Sequence, residues 1–236
     1  ISAVLQLGTY LALLLVLVKP LGAFMARVYD GESTFLDRPL RPLETLIYRA
    51  GGVRPEVGMG WKTYATAMLV FNATGLVVVY GLQRLQPVLP LNPQGFPAVA
   101  AGSAFNTAAS FVTNTNWQGY AGETTMSYLT QMLGLAVQNF VSAATGMALL
   151  VALIRGIRNR SSQDIGNFWV DLTRTTLYIL LPLAFVLALA QTSQGVVQSF
   201  RPHQVVPLLQ STVDGAGKPV TEQVLPMGPA SSQIAI

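Results

Sequence analysis

The run Thr113-Asn114-Thr115-Asn116-Trp117-Gln118-Gly119-Tyr120 offers oxygen ligands and no formal charge. Short polar side chains such as Thr and Asn let a backbone lie extended with its carbonyls turned to one side. Their own polar groups can tie that strand to its surroundings. Rings of backbone carbonyls are what replace the hydration shell of a potassium ion. Asn and Thr also favour turns, so a plain outer turn is the competing reading. The elements on either side decide between them.

Other residues offer less. The chain has no cysteine and one histidine, His203, which removes disulfides, thiolate nucleophiles and most zinc geometries. His203 stands in an outer loop without ligand-type neighbours and reads as structural. Glu123 reads first as a carboxylate complementing the dipole of a helix starting at Thr124. Its second reading is an attractor of cations at an outer mouth. Asp171 and Arg174 are spaced i, i+3, which predicts an intrahelical pair at the membrane interface, with a subunit contact as the second role. The apolar blocks 3–18, 63–82 and 124–154 hold no ionisable residue, and a membrane-embedded enzyme would need one. There is no P-loop, DKTG-type or HExxH motif. Any ATP chemistry must come from a partner, and no catalytic residue is expected here.

The 236 residues are 51% hydrophobic and 10% charged, with a mean hydropathy of +0.47. An average soluble domain carries roughly 25% charged residues, so this composition points to an all-α integral membrane protein. Ala3–Val18, closed by Lys19-Pro20, reads with its flanks as a spanning helix of about 20 residues. No basic region precedes it and no small-residue cleavage site follows, which argues against a signal peptide. Residues 26–61 form a polar loop with a short amphipathic helix near Pro42–Tyr48 lying at the interface. Thr63–Leu82 is the second spanning block, and a proline-rich outer loop follows at 86–93. Ala98–Val112 is too short to cross a bilayer and too apolar for an exposed loop, as expected of a re-entrant segment. Thr124–Ile154 is longer than a core of about 30 Å requires at ~1.5 Å per residue, so it must tilt, bend or extend beyond the membrane. Gly134 and Gly146 are its candidate bend or close-packing sites. Trp169–Ala190 is the last spanning block, and 191–224 reads as polar loop. A short re-entrant helix before the TNTN run and a long helix after it favour the filter over the turn: irregular backbone survives at membrane depth only where it is buried in protein or lines a cavity. The re-entrant helix would also aim its partly negative C-terminal end at the ion.

Basic residues sort these loops. Ten Lys or Arg residues fall in 26–62 and 155–174, Arg160 among them, against three at Arg84, Arg201 and Lys218. The positive-inside rule then puts 26–62 and 155–168 in the cytoplasm and the N-terminus, 84–123 and 191–236 outside. Ser33 and Ser161 would lie inside, and Ser193 and Ser211 outside. This accounts for the net charge of +4 without nucleic acid. Leu89-Pro90-Leu91-Asn92-Pro93 and Leu225-Pro226-Met227-Gly228-Pro229 each follow an aromatic residue, a spanning helix and an outer stretch, which suggests a duplicated helix–pore–helix unit. The chain starts at Ile1 rather than Met, and Ala230–Ala235 reads as the start of another pore helix. A piece of a longer protein is expected.

Phe111 to Gln118, then Gly122-Glu123-Thr124-Thr125 and Val137-Gln138-Asn139-Phe140, resemble the first-repeat signature of the A subunit of Kdp potassium-transporting ATPases. Lys19-Pro20-Leu21-Gly22 and the two LPxxP runs are lesser matches. The resemblance implies four helix–pore–helix (M1-P-M2) units about a pseudo-fourfold axis, as in potassium channels, with an extra helix at each end. On that scheme 1–25 is the extra N-terminal helix and 26–61 the cytoplasmic loop. Residues 62–155 are the first unit with its filter, and 156–236 the linker, helix and outer loop of an incomplete second unit. By carry-over, Thr113, Asn114, Thr115 and Asn116 form one quarter of the filter, with potassium on the backbone of Thr113, Asn114 and Thr115 and with Gln118 and Gly119 at the rim. The resemblance further implies potassium as the transported ion and no organic cofactor. It implies a P-type ATPase catalytic (B) subunit, reached through an intramembrane tunnel, small single-span C and F subunits, and a bacterial inner membrane. A Trk/Ktr-type subunit or potassium channel without an ATPase partner is the alternative. Its relatives usually carry glycine-bearing filters, and TNTNWQ does not.

Overall fold

The structure, a computed structural model, describes residues 2–158 and 164–236; Arg160 and Ser161 lie outside the described residues. Among the described residues, four helical stretches are long and apolar enough to cross a membrane: Ala3–Asp30, Trp61–Leu85, Thr130–Arg158 and Phe168–Ser193. The fold is that of an all-α membrane protein carrying one β-hairpin. Packing divides the chain into two compact units, Ile1–Tyr64 with Met147–Leu181 and Ala65–Gly146 with Pro182–Ile236.

In the first unit, helix α1 spans Ser2–Asp30 and contains Pro20. The sequence predicted a stop at Lys19-Pro20. The helix continues because Leu21, Ala23, Phe24, Met25 and Ala26 are still apolar and its last turns have somewhere to pack. Val28 and Tyr29 are buried with Leu177, Tyr178 and Ile179, flanked by Phe24 and Met25. Membrane helices tolerate proline when neighbours compensate for the lost backbone bond. Gly31 then ends α1 in the left-handed conformation, with φ of 74°. Its own amide donates to the Val28 carbonyl and the Glu32 amide to the Arg27 carbonyl, a helix stop that favours glycine. Helix α2, Asp37–Gly51, is longer than the predicted Pro42–Tyr48. The Thr34 amide and hydroxyl both donate to Asp37 Oδ1, at 3.1 and 2.7 Å. The hydroxyl bond is the main reason the Asp37 carboxyl titrates below its usual range. Helix α2 buries Glu44 and Tyr48.

Helix α3, Trp61–Leu85, begins in this unit. Tyr64 is 1% exposed, and its hydroxyl donates to the Ala148 carbonyl at 2.9 Å and to Asp171 Oδ2 at 3.1 Å. Asn167 caps the helix Phe168–Arg174, its side chain accepting from the Trp169 and Val170 amides. The same side chain donates to the Arg54 and Val57 carbonyls, so one residue both starts a helix and fastens the loop before α3.

In the second unit, α4 spans Ala101–Val112. A single short turn, α5, spans Gly122–Thr125. The chain is extended at Met126 before a π-helical turn, Thr130–Ala136, leads into α6, Val137–Arg158. The expected continuous helix from Thr124 is therefore interrupted, and Glu123 stands in the first turn of α5 rather than of the long helix. The π turn contains Gly134, where an added Cβ would meet Leu82 at 3.4 Å, so this glycine serves close packing. Nothing lies within 4 Å of such a Cβ at Gly146. Helix α7, Phe168–Arg174, passes through a second π turn, Thr175–Leu180, into α8, Leu181–Ser193.

The predicted polar loop after α8 contains strands β1, Gln204–Val213, and β2, Pro219–Leu225, paired antiparallel with an irregularity between Pro207 and Thr212. The sequence carries their alternating Val and Leu residues only weakly. Helix α9, Ala230–Ile234, follows. The core of this unit joins Val79 of α3 to Ala104, Ala108 and Phe111 of α4, with Met126 and Leu135.

Candidate functional site

Helix α4 ends directly below the TNTN run, and its last carbonyls are claimed by the residues that follow. The Asn114 amide donates to the Phe111 carbonyl at 3.2 Å. The Thr115 and Asn116 amides both donate to the Ser110 carbonyl, at 3.0 and 3.3 Å. The predicted extended strand is not what forms. Asn114 and Asn116 take left-handed conformations, with φ of 55° and 54°. Asparagine is among the few non-glycine residues that adopt this region readily, and the two turns fold three successive amides back onto α4.

Carbonyl direction follows from that folding. In a planar trans peptide the N–H and C=O point opposite ways, and no described peptide is cis. With the amides of residues 114, 115 and 116 bound to α4, the carbonyls of Thr113, Asn114 and Thr115 point away from it. Among the described residues no hydrogen bond ends on any of the three. The C-terminal carbonyls of α4 are linked to this row through the amides of residues 114–116.

Side chains brace the loop. The Thr113 hydroxyl donates to the Ala109 carbonyl at 2.9 Å and lies 3.0 Å from the Thr115 hydroxyl, which itself donates to Ser110 at 3.2 Å. The Ser110 hydroxyl, on a fully buried residue, donates to the Trp117 carbonyl at 2.9 Å. The Trp117 ring nitrogen donates to Asn106 Oδ1 at 2.9 Å. Residues 113–119 are themselves exposed. Gln118 lines a cavity of about 480 Å³ with Glu123, Tyr128, Gln131, Asn139 and His203. Gly119 has open space where a side chain would project.

Two organising residues escaped the sequence reading. Gln86, fully buried at the end of α3, donates to the Pro97 and Thr125 carbonyls and accepts from the Ser127 amide at 3.0 Å and the Thr130 hydroxyl at 3.3 Å. It ties the proline-rich loop to the start of the long helix. Tyr128 touches both LPxxP runs: its amide donates to the Leu91 carbonyl, and its hydroxyl binds the Met227 and Arg201 carbonyls. His203 packs on the Phe96 and Tyr128 rings, with centroids at 6.5 and 6.1 Å. Gln86 was visible only as the first residue of the proline-rich loop, and Tyr128 only as an aromatic in an apolar block.

The pair predicted for Asp171 and Arg174 is corrected in the first unit. Asp171 Oδ2 accepts from Arg155 Nη1 at 2.7 Å, and Arg174 Nε donates to Glu44 Oε1 at 3.0 Å. Glu44 also accepts from the Tyr48 and Tyr178 hydroxyls, each at 2.8 Å. Spacing alone could not see these partners, which lie far away in sequence.

Comparison with known proteins places residues 8–236 on the KdpA family, described as the potassium-transporting ATPase A subunit. The chain belongs to this family. Among curated relatives, the potassium-transporting ATPase potassium-binding subunit of Sorangium cellulosum is 63% identical over 235 residues, covering 100% of this chain and 40% of the relative. That of Herpetosiphon aurantiacus is 62% identical over 235 residues, with 100% and 40% covered. That of Methylococcus capsulatus is 56% identical over 255 residues, with 100% and 43% covered. The chain thus spans about two fifths of the length of these KdpA relatives. Both LPxxP runs and the TNTNWQ run fall within the KdpA match.

Proposed function

We propose that this chain is the potassium-binding part of a non-catalytic subunit in an ATP-driven potassium transporter. The carbonyls of Thr113, Asn114 and Thr115, with Asn116, supply one side of its selectivity filter, and Gln118 and Gly119 form the rim. The observation that carries this reading is the row of three carbonyls turned away from α4 with no protein donor among the described residues. Unpaired carbonyls at membrane depth are costly, and a partly dehydrated cation is a natural partner for them. The relatives' names give the ion and the assembly.

On this reading residues 1–25 belong to an extra N-terminal helix, 62–155 form the first helix–pore–helix unit and 156–236 the front of a second. The N-terminus faces the outside of a bacterial inner membrane, as the basic asymmetry requires. The ion passes through an intramembrane tunnel to a P-type ATPase B subunit, where ATP is hydrolysed, and C and F subunits complete the complex. The experiment is affinity purification of the full-length protein carrying this segment, followed by ATPase assay. A co-purifying ATPase stimulated by potassium is the expected result. A full-length protein that transports potassium with no ATPase attached would overturn the pump reading.

A further inference from the structure

The two left-handed residues of the TNTN run share a second anchor that neither the family match nor the motif explains. Asn116 Nδ2 donates to Asn139 Oδ1 at 2.7 Å and to Asn114 Oδ1 at 3.4 Å. Asn114 Oδ1 also accepts from the Ser142 hydroxyl at 3.3 Å. Asn139 and Ser142 stand i, i+3 on α6 and so share one helix face. The loop is therefore gripped twice: its amides by the end of α4, its asparagine side chains by α6.

We propose that Asn139, with Ser142 in support, is a positioning residue that holds Asn114 and Asn116 in their left-handed conformations and so sets the direction of the Thr113, Asn114 and Thr115 carbonyls. The proposal rests on the filter reading given above. Asparagine reaches positive φ more readily than other side chains but still prefers negative φ, so backbone bonds alone leave the loop free to relax. An amide NH2 has two hydrogens to place, and both of Asn116 are placed here, one on each neighbouring asparagine oxygen. This fixes the side chains of both turned residues together. The Ser142 hydroxyl has a single hydrogen to divide between Asn114 Oδ1 and the Asn139 carbonyl, the latter at 3.0 Å. Asn139 is accordingly the stronger tie. A carbonyl ring discriminates between ions by the number and placement of its dipoles, so loosening this tie alters selectivity before it alters assembly.

The test uses the full-length transporter complex with Asn139→Leu, which keeps the side-chain shape and removes the acceptor, and Ser142→Ala. Half-saturating potassium, discrimination against rubidium and sodium, maximal uptake and the amount of assembled complex are all measured. Asn139→Leu is expected to raise half-saturating potassium by about tenfold, the scale of one lost hydrogen bond, with weaker ion discrimination and near-normal maximal uptake. Ser142→Ala shifts the same parameters less. In Asn116→Ala/Asn139→Leu the two effects do not add. If Asn139→Leu lowers only assembly and maximal uptake, Asn139 is merely structural and the proposal fails. If it does not assemble at all, Ser142→Ala decides on the same readouts. Thr115→Pro run in parallel separates the two ideas. Lost uptake there with unchanged Asn139→Leu overturns the positioning role alone. Normal uptake in both overturns the filter reading beneath it.

Discussion

Asn114 and Asn116 are where sequence and geometry meet most closely at the residue scale. Their left-handed backbone turns the Thr115 amide onto the Ser110 carbonyl, 3.0 Å away. A proline at 115 deletes that donor and fixes φ, so Thr115→Pro is predicted to abolish potassium uptake in the full-length protein. The check is uptake at low external potassium alongside the amount of assembled complex, and wild-type uptake would count against the loop. The TNTN run itself was legible, because uncharged oxygen-rich residues between a short and a long apolar block have few other uses at membrane depth. Its conformation was not. Extended and turned backbones both suit Thr and Asn, and the turned form rests on contacts distant from the run's own residue types, among them the Ser110 carbonyl, which accepts from two amides, and the Asn139 side chain. In the sequence Asn139 stands out only as part of the Val137-Gln138-Asn139-Phe140 run. The available signal for its role was a polar face of Asn139 and Ser142 at i, i+3 on a largely apolar helix.

Elements were legible where apolar length governs them and illegible where distant packing does. All four spanning stretches follow from hydropathy. Their ends do not: α1 runs past Pro20 because Val28 and Tyr29 find a buried cluster to join, and the long helix breaks before Thr130 instead of starting at Thr124. The i, i+3 spacing of Asp171 and Arg174 permits a pair of only a few tenths of a kcal/mol, and each residue finds its partner on another helix, Arg155 of α6 for Asp171 and Glu44 of α2 for Arg174. Asp171 is 1% exposed and held by Arg155 and Tyr64. Removing one member of a buried pair costs about 3–5 kcal/mol, while replacing both with apolar residues is often neutral. Asp171→Leu is therefore predicted to lower the thermal unfolding temperature of the purified complex markedly. Asp171→Leu/Arg155→Met should recover most of the loss. Equal destabilisation by the single and double variants would show that the ion pair is not what Asp171 contributes.

At the scale of the whole molecule, orientation depends on charge rather than packing. On the proposed topology, ten basic residues on one set of loops against three on the other would place Ser33 inside and Ser193 and Ser211 outside. All three serines are exposed, and residues 1–236 contain no cysteine of their own, so a single cysteine placed at one of these positions is the only one in this segment. An impermeant reagent added to intact cells is predicted to label position 193 or 211 and spare 33. Labelling at 33 with protection at 193 would invert the topology. The hairpin β1–β2 shows the limit of reading at this scale, since a two-stranded ribbon between helices leaves little hydropathy signal. The central claim is that a potassium-like ion binds to the backbone of the TNTN run. Thallium, a heavy monovalent stand-in for potassium, tests it directly in crystals of the full-length complex. The account predicts an anomalous density peak at direct-coordination distance from the carbonyl oxygens of Thr113, Asn114 and Thr115. Thallium bound elsewhere in the complex, with those carbonyls bare, would contradict it.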